Sequence, residues 1–269
     1  MSDELATGRS AFAYRPVDSP AVLNVTTYTF GADPESTRSD TVRRIPSAAI
    51  VIHRRGRLLD CHVSGEQTPL PEIALLGPST VAHFWATRPN TEFLMVNLAP
   101  GATRKLFDIE PADILNQVET LKNHELAGGL QRAAADGAEF LHGHLCRLVS
   151  VPGGELNTLN NRSHTLIRAL RKRIFGGRVR NYADHFGMTC RTMQRHVRAE
   201  VGLTPKHIVA IERMRSLVKL TAGGWTESAA NLAQAGGFFD QSHLRYEVSR
   251  HQMGTVGELV GGDHIVVRK

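Results

Sequence analysis

The sequence predicts an α+β protein in two parts: an antiparallel β-sandwich or small barrel with helices, then an all-helical part. Three observations predict it. Between Val22 and Leu98, short segments of β-branched or alternating residues recur, separated by turn residues. From Ser163 onward, apolar residues recur at helical spacing. Charge divides at about the same place: residues 1–155 carry 14 Lys and Arg against 18 Asp and Glu, and residues 156–269 carry 18 against 8. The first part is thus net −4 and the second net +10, within a total of +6. A basic part of this strength suits a polyanion, although a basic domain that merely balances an acidic one gives the same sums.

The 269 residues suffice for about two domains of 100–200 residues each. With 41% apolar and 22% charged residues, the chain is neither disordered, collagenous nor coiled-coil. No run of about 18 apolar residues occurs, so no membrane span is expected. The opening MSDELATGRS has neither a basic nor an apolar stretch, so no secretory signal is expected. The three cysteines, Cys61, Cys146 and Cys190, are far apart and odd in number. They predict no disulfide framework and no Cys-x-x-Cys metal clip, and they fit a reducing cytoplasm.

In order, residues 1–20 read as a loose polar arm. Strands are expected at Val22–Phe30, Ala48–His53, Arg57–Val63, Glu72–Leu76, Thr80–Ala86 and Thr91–Leu98. Turn signals divide them: Gly31 to Pro34, Arg54-Arg55-Gly56, Ser64-Gly65, Gly77-Pro78 and Arg88-Pro89-Asn90. After Pro100-Gly101 the pattern becomes helical, at Ala102–Ile109, at Pro111–Val118 with Pro in its first turn, and at His124–Val149 as one helix or a pair. Val151–Asn161 is polar and contains Pro and Gly, which marks a linker. Leu166, Leu170 and Ile174 then share a helical face, stopped by Gly176-Gly177. Thr204 caps a helix that begins at Pro205 and ends at Gly223-Gly224, and Thr226 is expected to cap Glu227–Ala235.

Function is concentrated in two stretches. In Val179–Gly202, a short helix to His185 meets a turn at Phe186-Gly187-Met188, and Thr189 caps a second helix, about Cys190–Ala199. Gly187 suits the left-handed backbone of such a turn. Met193 and Val197 face the core, leaving Arg191, Thr192, Gln194, Arg195 and Arg198 on the other face. Arg reaches guanine O6 and N7, Gln reaches adenine N6 and N7, and Thr meets a thymine methyl or a phosphate. The plainer alternative is a charged helical hairpin. In Thr226–Met253, Phe238 plugs the core after Gly236-Gly237, and Asp240 caps a helix of about Gln241–Gln252. Its polar face carries Gln241, Ser242, Arg245, Ser249 and Arg250. Gly187 and Gly237 are 50 residues apart and hold equivalent turn positions. One long helix between two such units can set two recognition helices about one DNA turn, roughly 34 Å, apart.

Over about residues 165–260 this arrangement resembles the AraC/XylS transcriptional regulators. The resemblance rests on A-x-x-x-G-M-T-x-R-T-M-Q-R from Ala183 to Arg195, on G-L-T-P at 202–205, and on L-A-Q-A-G-G-F-F-D-Q-S-H-L from Leu232 to Leu244. It implies a homeodomain-like double helix-turn-helix at 163–262, a helical segment and linker at 126–162, and a cupin-like sensing or dimerisation domain at 1–125. It also implies base contacts from Arg191, Gln194 and Arg195 in the first unit and from Gln241 and Ser242 in the second. The implied partners are double-stranded DNA, a small-molecule effector, a second copy of the chain, and RNA polymerase if the protein is an activator. No cofactor is implied. The chain departs from the family beyond His243, where Leu244, Tyr246, Val248, Met253 and Thr255-Val256 stand in place of the usual residues. Tyr246 replaces an arginine. The first unit is therefore the expected source of specificity, with Arg245 and Arg250 of the second unit serving phosphates.

Two other classes are open to this sequence: a cupin-type metal enzyme fused to a DNA-targeting module, and an architectural protein binding DNA without sequence preference. The first half holds six histidines: His53, His62, His83, His124, His142 and His144. Its only His-x-His pair, His142 and His144, falls in a predicted helix, where residues two apart do not face each other, so no metal centre is expected. No Ser-His-Asp elbow, phosphate loop or paired-acid motif occurs, and no catalysis is expected. Cys190 is at a helix start, where a thiol pKa falls; that admits redox sensing, but a small residue at a helix start is the plainer reading. Phe84 and Trp85 either line an effector pocket or place one ring in the core and one half-exposed. Arg54-Arg55-Arg57 reads as a solvated hairpin turn.

Overall fold

A computed structural model describes residues 3–5, 9–16, 19–31, 41–43, 47–61, 67–80, 83–121, 124–149, 156–222, 225, 227–251 and 255–260. Several expectations lie outside these residues: most of the Gly31–Pro34 and all of the Ser64-Gly65 turn, His62, Val151–Glu155, Gly223-Gly224, Thr226 and Met253. So do the side chains of Cys61, His83 and Phe84.

The first half supplies β1 (Asp3–Leu5), β2 (Arg9–Tyr14), β3 (Val22–Phe30), β4 (Thr41–Arg43), β5 (Ala49–Arg55) and β6 (Leu58–Cys61). It continues with β7 (Gln67–Pro69), β8 (Ile73–Leu76), β9 (His83–Thr87), β10 (Glu92–Leu98), α1 (Ala102–Phe107) and β11 (Val118–Thr120). Helices α2 (Ala127–Asp136) and α3 (Ala138–Val149) close it. Two antiparallel sheets form, in the orders β1-β2-β3-β10-β5-β8-β11 and β4-β9-β6-β7.

The larger sheet is covered on both faces. Along β5, Ile50 and Ile52 join a cluster with α1, α2 and α3, through Leu106, Leu130, Leu141 and Leu145. The alternate residues Ala49 and Val51 join Leu58, Trp85, Phe93 and Met95 between the sheets. Two buried faces explain why β5 reads as an unbroken apolar run, not as an alternation. Trp85 is thus a core residue.

The second half is helical: α4 (Leu156–Lys172), α5 (Val179–His185), α6 (Cys190–Val201), α7 (Pro205–Ala222), α8 (Ala229–Gly236), α9 (Gln241–Arg250) and α10 (Val256–Val260). One apolar cluster joins α4, α5, α6 and the start of α7 through Leu166, Leu170, Tyr182, Met193, Val197 and Ile208. A second joins the end of α7 to α8, α9 and α10 through Leu217, Leu232, Phe238, Leu244 and Val248. Among the described residues no helix is long and apolar enough to cross a membrane.

Several local expectations are corrected. The supposed loose arm contains β1 and β2, and β2 pairs with β3 from Arg9↔Phe30 to Tyr14↔Val25; the exposed edge of β3 offers backbone groups that a polar segment can satisfy. The expected helix at Pro111–Val118 is instead a run of turns leading into β11. There Asn116 adopts a left-handed φ of 60°. Its side-chain oxygen accepts from Ser79 Oγ at 3.1 Å and from the backbone of Thr80 at 2.9 Å. Asn tolerates that conformation, and its side chain rewards it. Of the two readings of His124–Val149, the pair holds, with a break at Gly137, φ 120°. Residues 156–161, expected within a linker, instead open α4; no Pro or Gly lies between Glu155 and Lys172 to interrupt it. That helix ends at Lys172, so Ile174 leaves the shared face and is exposed, while Leu166 and Leu170 are buried. Arg54 is exposed, as expected of the hairpin turn, and its guanidinium also donates to Ala134 O at 2.9 Å through Nε and to Glu92 Oε1 at 2.8 Å through Nη1. A cation thereby satisfies the end of α2, where the helix dipole favours it.

His53 ties two strands together. Its Nε2 accepts from Leu58 N at 3.0 Å, so Nδ1 carries the proton and donates to Glu72 O at 3.2 Å. Burial pushes its pKa below the ordinary histidine value. The unfolded chain therefore binds the extra proton first, and folding stability rises with pH. Stability should be complete above about pH 6.5 and fall as pH drops below it, by up to about 1.4 kcal/mol per pH unit for this group. Urea unfolding between pH 5 and 7.5 checks this: His53→Gln should show a flatter dependence than wild type, and parallel curves would contradict the assignment.

Candidate nucleic-acid interface

Helix α6 is amphipathic by construction. Met193, Val197 and Val201 recur every four residues and are buried, so one stripe faces α4 and α7. Arg191, Thr192, Gln194, Arg195 and Arg198 all lie on the opposite, exposed face, as their spacing predicts. Thr189 Oγ1 accepts from Thr192 N at 3.1 Å and caps the helix. Ser163 Oγ is 2.7 Å from His196 Nε2 and links α4 to the flank of α6.

The two helix-turn-helix units match bond for bond. In the first, Met188 N donates to Ala183 O at 2.9 Å and Gly187 N to Asp184 O at 3.2 Å. In the second, Phe238 N donates to Ala233 O at 2.8 Å and Gly237 N to Gln234 O at 3.0 Å. Both pairs are offset by 50 residues, and Gly187 and Gly237 share a left-handed φ of 62° and 73°. Beyond the turn the offset becomes 51: Thr189 caps α6, and Asp240 caps α9 by accepting from His243 N at 2.7 Å. The second turn is one residue longer. The extra residue is Phe239, whose side chain is exposed and whose N–H donates to His243 Nδ1 at 3.1 Å. The helix before this turn starts later than expected, capped by Ser228.

This register aligns the two exposed faces. Leu244 and Val248 stand where Met193 and Val197 stand, all buried. Ser242, Arg245, Tyr246 and Ser249 then correspond to Arg191, Gln194, Arg195 and Arg198. All four are exposed, and Gln241 at the helix start is half-buried. The face of α6 carries three arginines, whereas the matching positions of α9 carry one. Arg250, also exposed, pairs with Glu247 Oε1 at 3.5 Å.

Sequence reasoning did not foresee how α6 ends. Its C-cap Gly202 has φ 75° and lies against the first half: a Cβ there would stand 2.6 Å from Pro111 O and 2.9 Å from Pro78 Cγ. Gly101 N donates to Glu200 O at 3.0 Å, and Arg104 Nη2 donates to Ala199 O at 3.2 Å. Arg104 is held in turn by Glu110, with two contacts of 2.6 Å. Leu115 packs on the cluster around α6. The first half thus caps the C-terminus of this helix and leaves its N-terminal turns free.

Among the described residues no three His, Cys, Asp or Glu side chains gather as a metal site. His144 lies over Gly129, and His142 turns to Ser19 and Cys146. Cys190 is exposed at the start of α6.

No family model matches the chain, and no curated protein matches it. Solved structures that overlap it include ToxT from Vibrio cholerae O395, at 11% identity over 95% of this chain and 98% of that one, TM-score 0.42. ToxT from the same source bound to (E)-4-(8-methylnaphthalen-1-yl)but-3-enoic acid overlaps at 13% identity over 95% and 99%, TM-score 0.41. The AraC-like transcriptional activator CuxR overlaps at 12% identity over 86% of each chain, TM-score 0.27. Overlaps this loose leave the reading of the site to its own geometry.

Two glycines separate turn strain from interface strain. At Gly187 a Cβ meets open space, so Gly187→Ala should cost only the left-handed penalty of about 1–2 kcal/mol. Gly202→Ala carries the same penalty and must also displace the Pro111 backbone. Thermal unfolding should rank Gly202→Ala clearly below Gly187→Ala. Equal shifts would show that α6 is not held against the first half in solution.

Proposed function

We propose that this protein is a sequence-specific, double-stranded-DNA-binding transcription regulator of the AraC/XylS kind, acting in the cytoplasm. The observation that carries the reading is the duplicated helix-turn-helix, matched turn for turn and joined by the 18-residue α7, about 27 Å long at 1.5 Å per residue. Arg191, Gln194 and Arg195 read bases from the first unit, with Thr192 and Arg198 beside them. The second unit binds its half of the site mainly through phosphates, from Arg245, Arg250 and the start of α9, with Gln241 and Ser242 nearest the bases. Lys and Arg neutralise phosphates and release counterions, so affinity falls steeply with salt. The β half, about residues 1–125, dimerises, binds a small effector, or does both, and its contact with α6 gives a route to the DNA-reading helix. RNA polymerase is a further partner if the protein activates.

Selection of bound fragments from random DNA tests the reading. It should yield one lopsided motif, sharp under α6 and weak about one turn away. Arg195→Ala should relax one position by about 1–3 kcal/mol, as loss of a bidentate guanine contact does. Tyr246→Arg should raise affinity and steepen the salt dependence by up to about one unit. Recovery of no motif would leave an architectural, non-specific binder; two equally sharp half-motifs would overturn the assignment of the second unit.

A further inference from the structure

Outside the helix-turn-helix units, Tyr14, Ser19, His142 and Cys146 form a connected polar cluster between the β2–β3 connection and α3. His142 and Cys146 are one helical turn apart and share a face. Cys146 Sγ is 3.1 Å from His142 Nε2 and 3.4 Å from Ser19 Oγ. His142 Nε2 is 3.1 Å from Ser19 Oγ, and its Nδ1 is 3.4 Å from the Tyr14 hydroxyl. The Tyr14 and His142 rings also pack, with centroids 5.5 Å apart.

One pattern of protons satisfies the whole cluster and sets it up for chemistry. Buried Ser19 Oγ accepts from Ala21 N at 3.3 Å and from Val22 N at 3.2 Å, which occupies both lone pairs. Its own hydrogen must then be donated, and His142 Nε2 and Cys146 Sγ are in reach. Burial lowers the pKa of His142, which keeps the ring neutral near pH 7. With Nδ1–H directed at the Tyr14 oxygen, Nε2 presents a lone pair to the thiol. Once that proton has moved, the thiolate accepts from both Nε2–H and the Ser19 hydroxyl. Charge-assisted hydrogen bonds of this kind stabilise the reactive form of a cysteine. Cys146 is half-buried, so reagent can reach it from solvent, and it packs against the main core of the β half.

We propose that Cys146 is a site of covalent modification by soft electrophiles of the α,β-unsaturated carbonyl class, with His142 as its base and Ser19 and Tyr14 as positioning residues. His142 Nε2 takes the thiol proton. The sulfur adds to the β-carbon, a C–S bond forms, and the C=C π pair moves onto the α-carbon as an enolate. The proton on Nε2 passes to that carbon. Nothing leaves, and no oxidant or reductant is needed. This site does not depend on the DNA-binding reading.

N-ethylmaleimide is the probe. The full chain is labelled at pH 7 with limiting reagent, and the rate at Cys146 is followed by peptide mass spectrometry, in native protein and in urea. An unassisted half-buried thiol reacts more slowly in the native protein than in the unfolded chain. Cys146 should instead react about tenfold faster in the native protein. His142→Gln should abolish that excess and leave labelling of Cys190 unchanged, and Ser19→Ala should reduce the excess several-fold. A native Cys146 rate at or below the unfolded one overturns the proposal, and so does an undiminished excess in His142→Gln. The wild-type comparison needs no variant, so it decides the matter even where a substitution unfolds the β half.

Discussion

The last carbonyls of α6 have no partners within their own helix, and the other half of the protein supplies them. A helix end leaves up to four such groups open. Here Gly101 N–H and the Arg104 guanidinium take Glu200 O and Ala199 O, and Gly202 turns the chain away in a conformation that lets Pro111 and Pro78 close over it. This fixes where α6 points. Its apolar stripe sets rotation about its axis, and the capped end sets its position along that axis. The Arg-rich face is left outward as a consequence of both. Any movement of α1 relative to the β-sheets is felt at α6 through hydrogen bonds, not through a flexible tether.

The two helix-turn-helix units show how little a fold depends on the residues that differ between them. The apolar positions, the left-handed glycine and the cap are kept. A one-residue insertion, Phe239, is absorbed because His243 accepts its N–H and the cap moves to Asp240. The exposed face is where the units diverge. Arg195 and Arg198 face solvent in α6, and Tyr246 and Ser249 take their places in α9. A phenol offers one donor and no charge, so the second face carries much less positive charge than the first. The residues that fold the helix and those that give its exposed face its chemistry are thus separable.

Much of this was legible in the sequence. Within helices, local periodicity places residues well: Met193, Val197, Leu232 and Phe238 are all buried, and the five α6 side chains are all exposed, whereas Ile174, beyond the end of α4, is not buried. Thr189 and Asp240 cap their helices as spacing requires. What escaped depends on non-local partners. Residues 9–14 look like an arm because their strand character comes from pairing with β3. Pro111–Val118 has helical composition, yet Ser79 and Thr80 hold Asn116 in a left-handed turn. Arg54 is exposed as its turn position requires, but its bond to Ala134 O, 80 residues away, lies outside any local reading. The cap on α6 joins residues about 95 apart, and no window of sequence contains both sides. Tyr14, Ser19, His142 and Cys146 were invisible as a group for the same reason; only the His142–Cys146 spacing is local.

The charge division of the sequence acquires a structural meaning at the α6 contact. A helix carries partial positive charge at its start and partial negative charge at its end. The start of α6 is open, with Thr189 as its cap and Arg191 and Arg195 nearby, so the dipole and the side chains add to an attraction for anions. The end is turned into the acidic half, yet the groups that meet it there are Arg104 and Lys105, the cations of α1. Partial burial lowers the pKa of Lys105 and the Glu200 carboxylate opposes that loss, while Glu110 holds Arg104 in place. Two cations of α1, each with a carboxylate beside it, therefore stand where α6 ends in carbonyls. This pairing of a few local groups, and not the net charge of either half, leaves the start of α6 as its open end.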